Sequence, residues 1–289
     1  MIQQSNILCI LFLSMGLIMS CSDDNADALP SGSSGGNSSS DWILNQGEVF
    51  DGGPGKDGIP SVDNPNFLTT DQIDFNRTGD LMLAIKNETE IKGYPHVILD
   101  WHEIVNDRVG NQSIAITYCP LTGTGIAWDR NVGGTETSFG VSGLLYRNNL
   151  IPYDRATDSN WSQIRLDCVQ GELVTTRATT FSMIEMPWST WELMFPDEKV
   201  MSKETGFSRN YGVYPYGDYR ANNNRLLFPV GQEDSRLPKK ERVLGIIIGN
   251  SVKVYRFHAF EDGLAIIDDV HEDRELVVIG SKEHNFMMA

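Results

Sequence analysis

One strand-and-turn pattern occurs twice in this chain, and it restricts the fold more than any other feature. Ile91-Lys92-Gly93-Tyr94-Pro95-His96-Val97-Ile98-Leu99 aligns with Val252-Lys253-Val254-Tyr255-Arg256-Phe257-His258-Ala259-Phe260. Each segment follows an apolar run and a polar turn: Leu81 to Ile85 with Lys86-Asn87-Glu88-Thr89, and Val243 to Ile248 with Gly249-Asn250-Ser251. Each precedes an aliphatic pair, an acidic turn and a further apolar run, ending at Ile114-Ala115-Ile116 in one copy and Leu276-Val277-Val278-Ile279 in the other. Val, Ile and Tyr suit a pleated, half-buried surface, while Gly, Asn and Asp supply tight turns. The pattern predicts a β-meander used twice, with its two copies side by side or at the two ends of one sheet system. The aligned nine-residue segments read as strands.

The rest of the chain predicts the same class: mainly β, in a single domain with one or two short helices. Gly125-Ile126-Ala127-Trp128 leads to a Gly133-Gly134 turn and then to Thr137-Ser138-Phe139-Gly140-Val141. Pro187 to Met194 is the best short helix, with proline at its start and Phe195-Pro196 as its stop. Residues 204–238 are rich in Gly, Asn, Tyr and Pro and read as long loops, which in compact domains are often functional or packed by their own aromatics.

The N-terminus reads as a targeting segment. Ile7 to Met19 is almost unbroken in apolar or small residues. It is short of the roughly 20 residues that span a bilayer and matches the apolar region of a secretory signal. Met1 to Asn6 carries no Lys or Arg, a departure from the usual positive start. Ile18-Met19-Ser20-Cys21 resembles a bacterial lipobox, which implies a signal peptide over 1–20 and a lipidated Cys21. By the same resemblance, Ser22 implies sorting to the outer membrane, on its periplasmic or its surface-exposed side. Residues 21–40 are Ser, Gly, Asp and Asn with few apolar side chains, too polar to bury a core, so they read as a flexible tether. The β-rich domain then covers 41–289. The net charge of -16 argues against nucleic acid as a partner and leaves the membrane to the lipid anchor.

Chemistry-bearing side chains crowd into one stretch, where Trp101-His102-Glu103 stands shortly before Tyr118-Cys119-Pro120. The second copy of the meander has Gly263-Leu264-Ala265 and Gly280-Ser281-Lys282 instead, so scaffold alone does not require the reactive residues. A Cys119 thiolate would be a nucleophile or soft metal ligand, with His102 as base or second ligand. Such a set suits zinc or copper. On a strand, His102 and Glu103 point to opposite faces, and His102 can face Cys119 across paired strands. The plainer alternatives are a buried thiol that acts as a small hydrophobe and an imidazole bonded to backbone. Cys168 is the other cysteine of the domain, and a Cys119–Cys168 disulfide stays open. Asp51, Asp57 and Asp63 offer carboxylates for calcium or simply form turns. Tyr211, Tyr214, Tyr216 and Tyr219 read either as a platform for a glycan or peptide or as a satellite cluster beneath a loop.

Several motifs carry a family resemblance. They are Asp57-Gly58-Ile59-Pro60-Ser61-Val62-Asp63-Asn64-Pro65, Trp101 to Asp107, Thr117 to Gly123, Phe139 to Tyr146, Tyr153-Asp154-Arg155 and Trp161-Ser162-Gln163. In this order they resemble the bacterial domain-of-unknown-function family 3179 (DUF3179), from about Asp57 to about His258. The resemblance implies no established reaction. Thr122 stands where many members carry a second cysteine, which removes a local dithiol. The adjacent charges Asp129-Arg130 and Asp154-Arg155, with the polar and aromatic residues Tyr153, Trp161 and Gln163 in the motifs, make Asp129, Arg130, Tyr153, Asp154, Arg155, Trp161 and Gln163 candidate pocket residues. Two functional expectations follow. One is an extracytoplasmic lipoprotein with a metal- or thiol-dependent site at Cys119, His102 and Glu103. The other is a non-catalytic binding module for a glycan or peptide, with the tyrosine loop and Trp161 as its platform.

Overall fold

Strands dominate the computed structural model, which describes residues 41–289. The expected signal peptide (1–20), the expected lipidation site Cys21 and the expected tether through residue 40 lie outside the described residues. Two α-helices occur among the described residues: α1 (His96–His102) and α2 (Trp188–Met194). An eight-stranded sheet runs in the order 265–271, 274–281, 286–288, 183–187, 81–86, 91–95, 199–201 and 67–69. A five-stranded sheet has the order 180–181, 124–129, 112–119, 104–109 and 62–63. A second five-stranded sheet has the order 49–51, 139–146, 149–154, 160–162 and 167–170. Strands 243–248 and 251–256 form a hairpin of their own. Most pairings are antiparallel; 199–201 with 91–95 and 62–63 with 104–109 are parallel.

The repeated pattern is real and richer than a meander. Each copy is a hairpin, a short helical corner and a second hairpin. In the first copy, 81–86 and 91–95 lead through α1 to 104–109 and 112–119. In the second, 243–248 and 251–256 lead through a 3-10 turn at Phe257–Ala259 to 265–271 and 274–281. The segment Ile91 to Leu99 is therefore not one strand. Pro95 has no N–H to continue a ladder, and in extended conformation it precedes the first helical residue, His96. The helix closes at Glu103, whose φ of 58° is left-handed and whose N–H reaches the Leu99 carbonyl at 2.8 Å. A side chain other than glycine there costs on the order of 1 kcal/mol.

Each corner folds its two hairpins face to face. Leu83, Ile85 and Tyr94 pack against Val105, Val109, Ile114 and Ile116 in the first copy. Leu244, Ile246 and Tyr255 pack with Ala265, Ile267 and Val278 in the second. The first copy is covered again on its outer faces. Met82 and Ala84 meet Met186, Trp191 and Val200, while Ile104, Ala115 and Cys119 meet Trp128, Phe139 and Trp161. α2 starts after Pro187, as the proline predicts, and buries Trp188 and Trp191 on this outer face. Cys119 and Cys168 are both free and buried in one apolar cluster, so no disulfide joins them here.

Candidate functional site

The helical corner of the first copy decides where its reactive residues go. His102 is the last residue of α1 rather than part of a strand, and this corrects the expected alignment with Cys119. Its Nδ1 lies 2.7 Å from the Pro60 carbonyl, which only accepts, so Nδ1 carries the proton. Nε2 then accepts from the Tyr211 hydroxyl at 2.7 Å, which itself meets Thr205 Oγ1 at 2.6 Å. Burial lowers the imidazole pKa and keeps the ring neutral. Cys119 Sγ instead donates to the Asn148 carbonyl at 3.4 Å. Burial, and next the nearby Glu103 carboxyl, push that thiol up, away from the reactive thiolate.

Three side chains of this corner share one helix face, at positions 96, 100 and 103. Glu103 is buried and accepts from the Tyr216 hydroxyl at 3.2 Å; burial raises its pKa to about 7. Asp100 pairs with Arg220 at 3.0 Å, its other oxygen is buried without a partner, and burial raises it to about 7. His96 Nε2 stands 3.3 Å from Glu185 Oε1 without the alignment of a hydrogen bond. Burial lowers His96 to about 3, so it is neutral. A strand pattern over Ile91 to Leu99 does not bring His96 and Asp100 together; the helical spacing of four and three does.

The long loop closes over this face. Trp101 Nε1 donates to the Val213 carbonyl at 3.1 Å, Tyr214 to the Pro120 carbonyl at 3.1 Å, and Asn148 Nδ2 to the Phe228 carbonyl at 2.7 Å. The tyrosine hydroxyls therefore point inward. Of the expected aromatic platform, Tyr219 and Trp161 are buried, while Tyr211, Tyr214 and Tyr216 stay part-exposed with their hydroxyls turned inward. Among the described residues, no three His, Cys, Asp or Glu side chains gather closely enough to hold a metal ion.

A different group of residues lines an open cleft. Asp63, Asn64, Asn106, Arg130 and Ser138 surround a volume of about 200 Å³. The parallel pairing of 62–63 with 104–109 sets Asp63 beside Asn106, and Asn106 Nδ2 donates to Asp63 Oδ1 at 2.7 Å. The same amide also bonds both backbone groups of Phe139, at 2.8 Å each, and ties the start of the next strand to this edge. Arg130 follows strand 124–129; its Nε donates to the Thr137 carbonyl at 2.7 Å and its Nη1 to the Asp107 carbonyl at 3.2 Å. Arg155 donates to Asp63 at 3.1 Å, to Ser138 Oγ at 3.2 Å and to Ser61 Oγ at 2.8 Å. Tyr153 donates to Asp57 at 2.5 Å. Gly140 permits that approach: a Cβ there would come within 2.5 Å of the Tyr153 ring and 2.7 Å of Asp57.

The candidate pocket residues thus divide. Arg130 lines the cleft, Arg155 braces it, and Tyr153 holds Asp57 behind it. Asp154, Trp161 and Gln163 are fully buried and serve packing instead. Trp161 Nε1 donates to Asp154 at 3.0 Å, and Gln163 bridges Asn149 and Thr117. Asp129 accepts from the Asn131 N–H at 2.8 Å and shapes a turn. Asp107 is held in a buried pair with Lys92 at 3.1 Å and by the Tyr94 hydroxyl at 2.7 Å. Asp63, weighed from sequence as a turn or calcium carboxylate, belongs to the cleft. Asn64, Asn106 and Ser138 went unassigned, because small polar residues carry no distinctive sequence signal.

Comparison with known proteins adds one finding. No curated protein and no solved structure matches the chain. The family model described as "Protein of unknown function (DUF3179)" matches residues 56–289, a span that includes the cleft, α1 and both hairpin pairs. The chain therefore belongs to the DUF3179 family.

Proposed function

We propose that this protein is an envelope lipoprotein that acts by binding a small polar ligand in the cleft of Asp63, Asn106, Arg130 and Ser138. The observation that carries this reading is Arg130, a guanidinium clamped by two backbone carbonyls at the wall of an open cleft. Such clamping fixes its direction before a ligand arrives, so little ordering is left to binding. Asn106 and Arg155, each engaged by several fixed partners, stiffen the surroundings of Asp63. The apolar segment ending at Cys21, the Ser22 that follows and the polar tether support anchorage at the outer membrane.

The metal- or thiol-dependent reading has less support. Both ring nitrogens of His102 are engaged by Pro60 and Tyr211, and the Cys119 thiol is buried with its pKa raised. Binding is tested by thermal shift of the purified protein against a panel of small polar molecules, with Arg130→Gln alongside. A ligand that stabilises the wild type and not the variant supports the reading; equal shifts in both refute it. Anchorage is tested by labelled palmitate, which is incorporated by the wild type and lost in Cys21→Ser. Incorporation that survives the substitution sinks the anchor assignment.

A further inference from the structure

Two side chains of opposite charge, Arg130 and Asp63, line the cleft without pairing with each other, and this selects among ligands. Glu136 is shared by two arginines. It holds Arg108 by two contacts at 3.1 and 3.2 Å and reaches Arg130 only at 3.5 Å. Arg130 is otherwise bonded to neutral carbonyls. This group carries an excess of positive charge, on a guanidinium whose side chain is only 16% exposed. At Asp63, by contrast, one arginine serves two carboxylates: Arg155 meets Asp63 at 3.1 Å and Asp57 at 3.5 Å. Asp63 keeps about half its side chain exposed, and its lone pairs are not exhausted by Arg155 and Asn106. That group carries an excess of negative charge.

We infer that the cleft takes a small zwitterion of the α-amino acid class, its carboxylate on Arg130 and its ammonium on Asp63. The inference rests on the binding role proposed above and names the ligand class for it. A guanidinium matches a carboxylate, and beyond the Nε–H spent on Thr137, one Nη1–H spent on Asp107 and the loose 3.5 Å approach of Glu136 to Nη2, Arg130 keeps N–H donors on Nη1 and Nη2 for it. An ammonium presents three donors to a carboxylate that has acceptor sites left. Ser138 and Asn64 add polar residues to the lining, with Ser138 Oγ also accepting from Arg155. Size agrees. About 200 Å³ is several times the roughly 30 Å³ share of one water and lies below the range for drug-sized ligands. None of the lining side chains is aromatic, so the cleft offers no stacking face for a sugar ring.

Isothermal titration of the purified full-length protein tests the inference with four probes. They are alanine, its deaminated analogue propionate, its decarboxylated analogue ethylamine, and the neutral polyol glycerol. Alanine is expected to bind at least about tenfold more tightly than either single-charge analogue, a difference of about 1.4 kcal/mol. Arg130→Gln is expected to abolish that binding. Asp63→Asn, on a half-exposed side chain, is expected to bring alanine down to the affinity of propionate. Unfolding midpoints of both variants establish that they are folded, and Ser138→Ala, expected to weaken alanine by a few-fold, repeats the test at a position that holds no charge. Propionate binding as tightly as alanine overturns the zwitterion, as does alanine binding that survives both charge variants. If glycerol alone binds and Arg130→Gln removes it, the ligand class falls while the cleft remains a binding site. If none of the probes binds, the inference is overturned, and the wider panel above then decides the binding role separately.

Discussion

The two copies of the hairpin–corner–hairpin unit follow one local plan and meet opposite surroundings. In the first, strand 112–119 is buried along nearly its whole length, because sheets and helices cover both of its faces. In the second, strands 251–256 and 265–271 alternate between half-buried and exposed positions, and Val252, Ile266, Val270 and Val277 face solvent. The corners differ too. α1 places His96, Asp100 and Glu103 beneath a long loop, whereas the second corner is a single 3-10 turn followed by Gly263-Leu264-Ala265. Two segments with the same turn chemistry thus became a core and a flank. What separates them is how much chain packs on their outer faces.

The comparison breaks first on packing. Ala115 and Ile116 are both fully buried, whereas in the second copy the counterpart of Ile116, Val278, is buried and that of Ala115, Val277, is 51% exposed. Ile116→Ala is expected to lower stability by about 2–5 kcal/mol in denaturant unfolding, through lost burial and the cavity left behind. A loss below about 1 kcal/mol would show that the first copy is not the core.

Next comes the buried acid at the first corner, which has no counterpart in the second. Glu103 is raised from 4.5 to about 7, so the folded protein holds a proton that the unfolded chain releases. Its contribution is therefore complete below pH 4.5, is lost as pH rises towards 7, and is flat beyond. At 1.36 kcal/mol per unit this amounts to roughly 3 kcal/mol. The stability difference between wild type and Glu103→Gln, measured from pH 4 to 8, is expected to move by that order against the wild type. A difference that stays constant with pH would contradict it.

A smaller effect is expected where the loop meets α1. Arg220→Ala leaves Asp100 buried without its only cation and should cost about 1–2 kcal/mol, moderated because Arg220 is half exposed. Limited proteolysis should then cut residues 204–228 sooner than in the wild type; unchanged cleavage would show that the pair does not hold the loop. Smallest is Val277→Thr, expected within about 0.5 kcal/mol. A larger loss would mean that the second copy is covered after all and that the comparison fails.

Much of the fold is legible in the sequence, and the reasons are local. Pro187 and Phe195-Pro196 bound α2, and the Asn, Gly and Asp turns mark the hairpins. Ile91 to Leu99 departs from the expected single strand because a short apolar run fits strand and helix alike, and Pro95 ends the ladder between them. In the candidate sites, the charge of Arg130 and Arg155 marks them in the sequence, and the structure places Arg130 in the lining of the cleft and Arg155 beside it. Trp161 and Gln163 were assigned to a pocket because polar and aromatic types suit both a cleft and a satisfied interior. His102 and Cys119 are near in sequence, yet the helical corner sends one to Pro60 and Tyr211 and the other to Asn148.

The sequence by itself determined the mainly β class, the repeated unit, the turns and the family. Those follow from neighbours along the chain, where side-chain type acts directly on backbone geometry. Only the tertiary structure decided which copy became the core, which hydroxyls turned inward, and that Asp63, Asn106, Arg130 and Ser138 meet in one cleft. Burial and convergence depend on what distant segments pack against a face, and no local pattern carries that information.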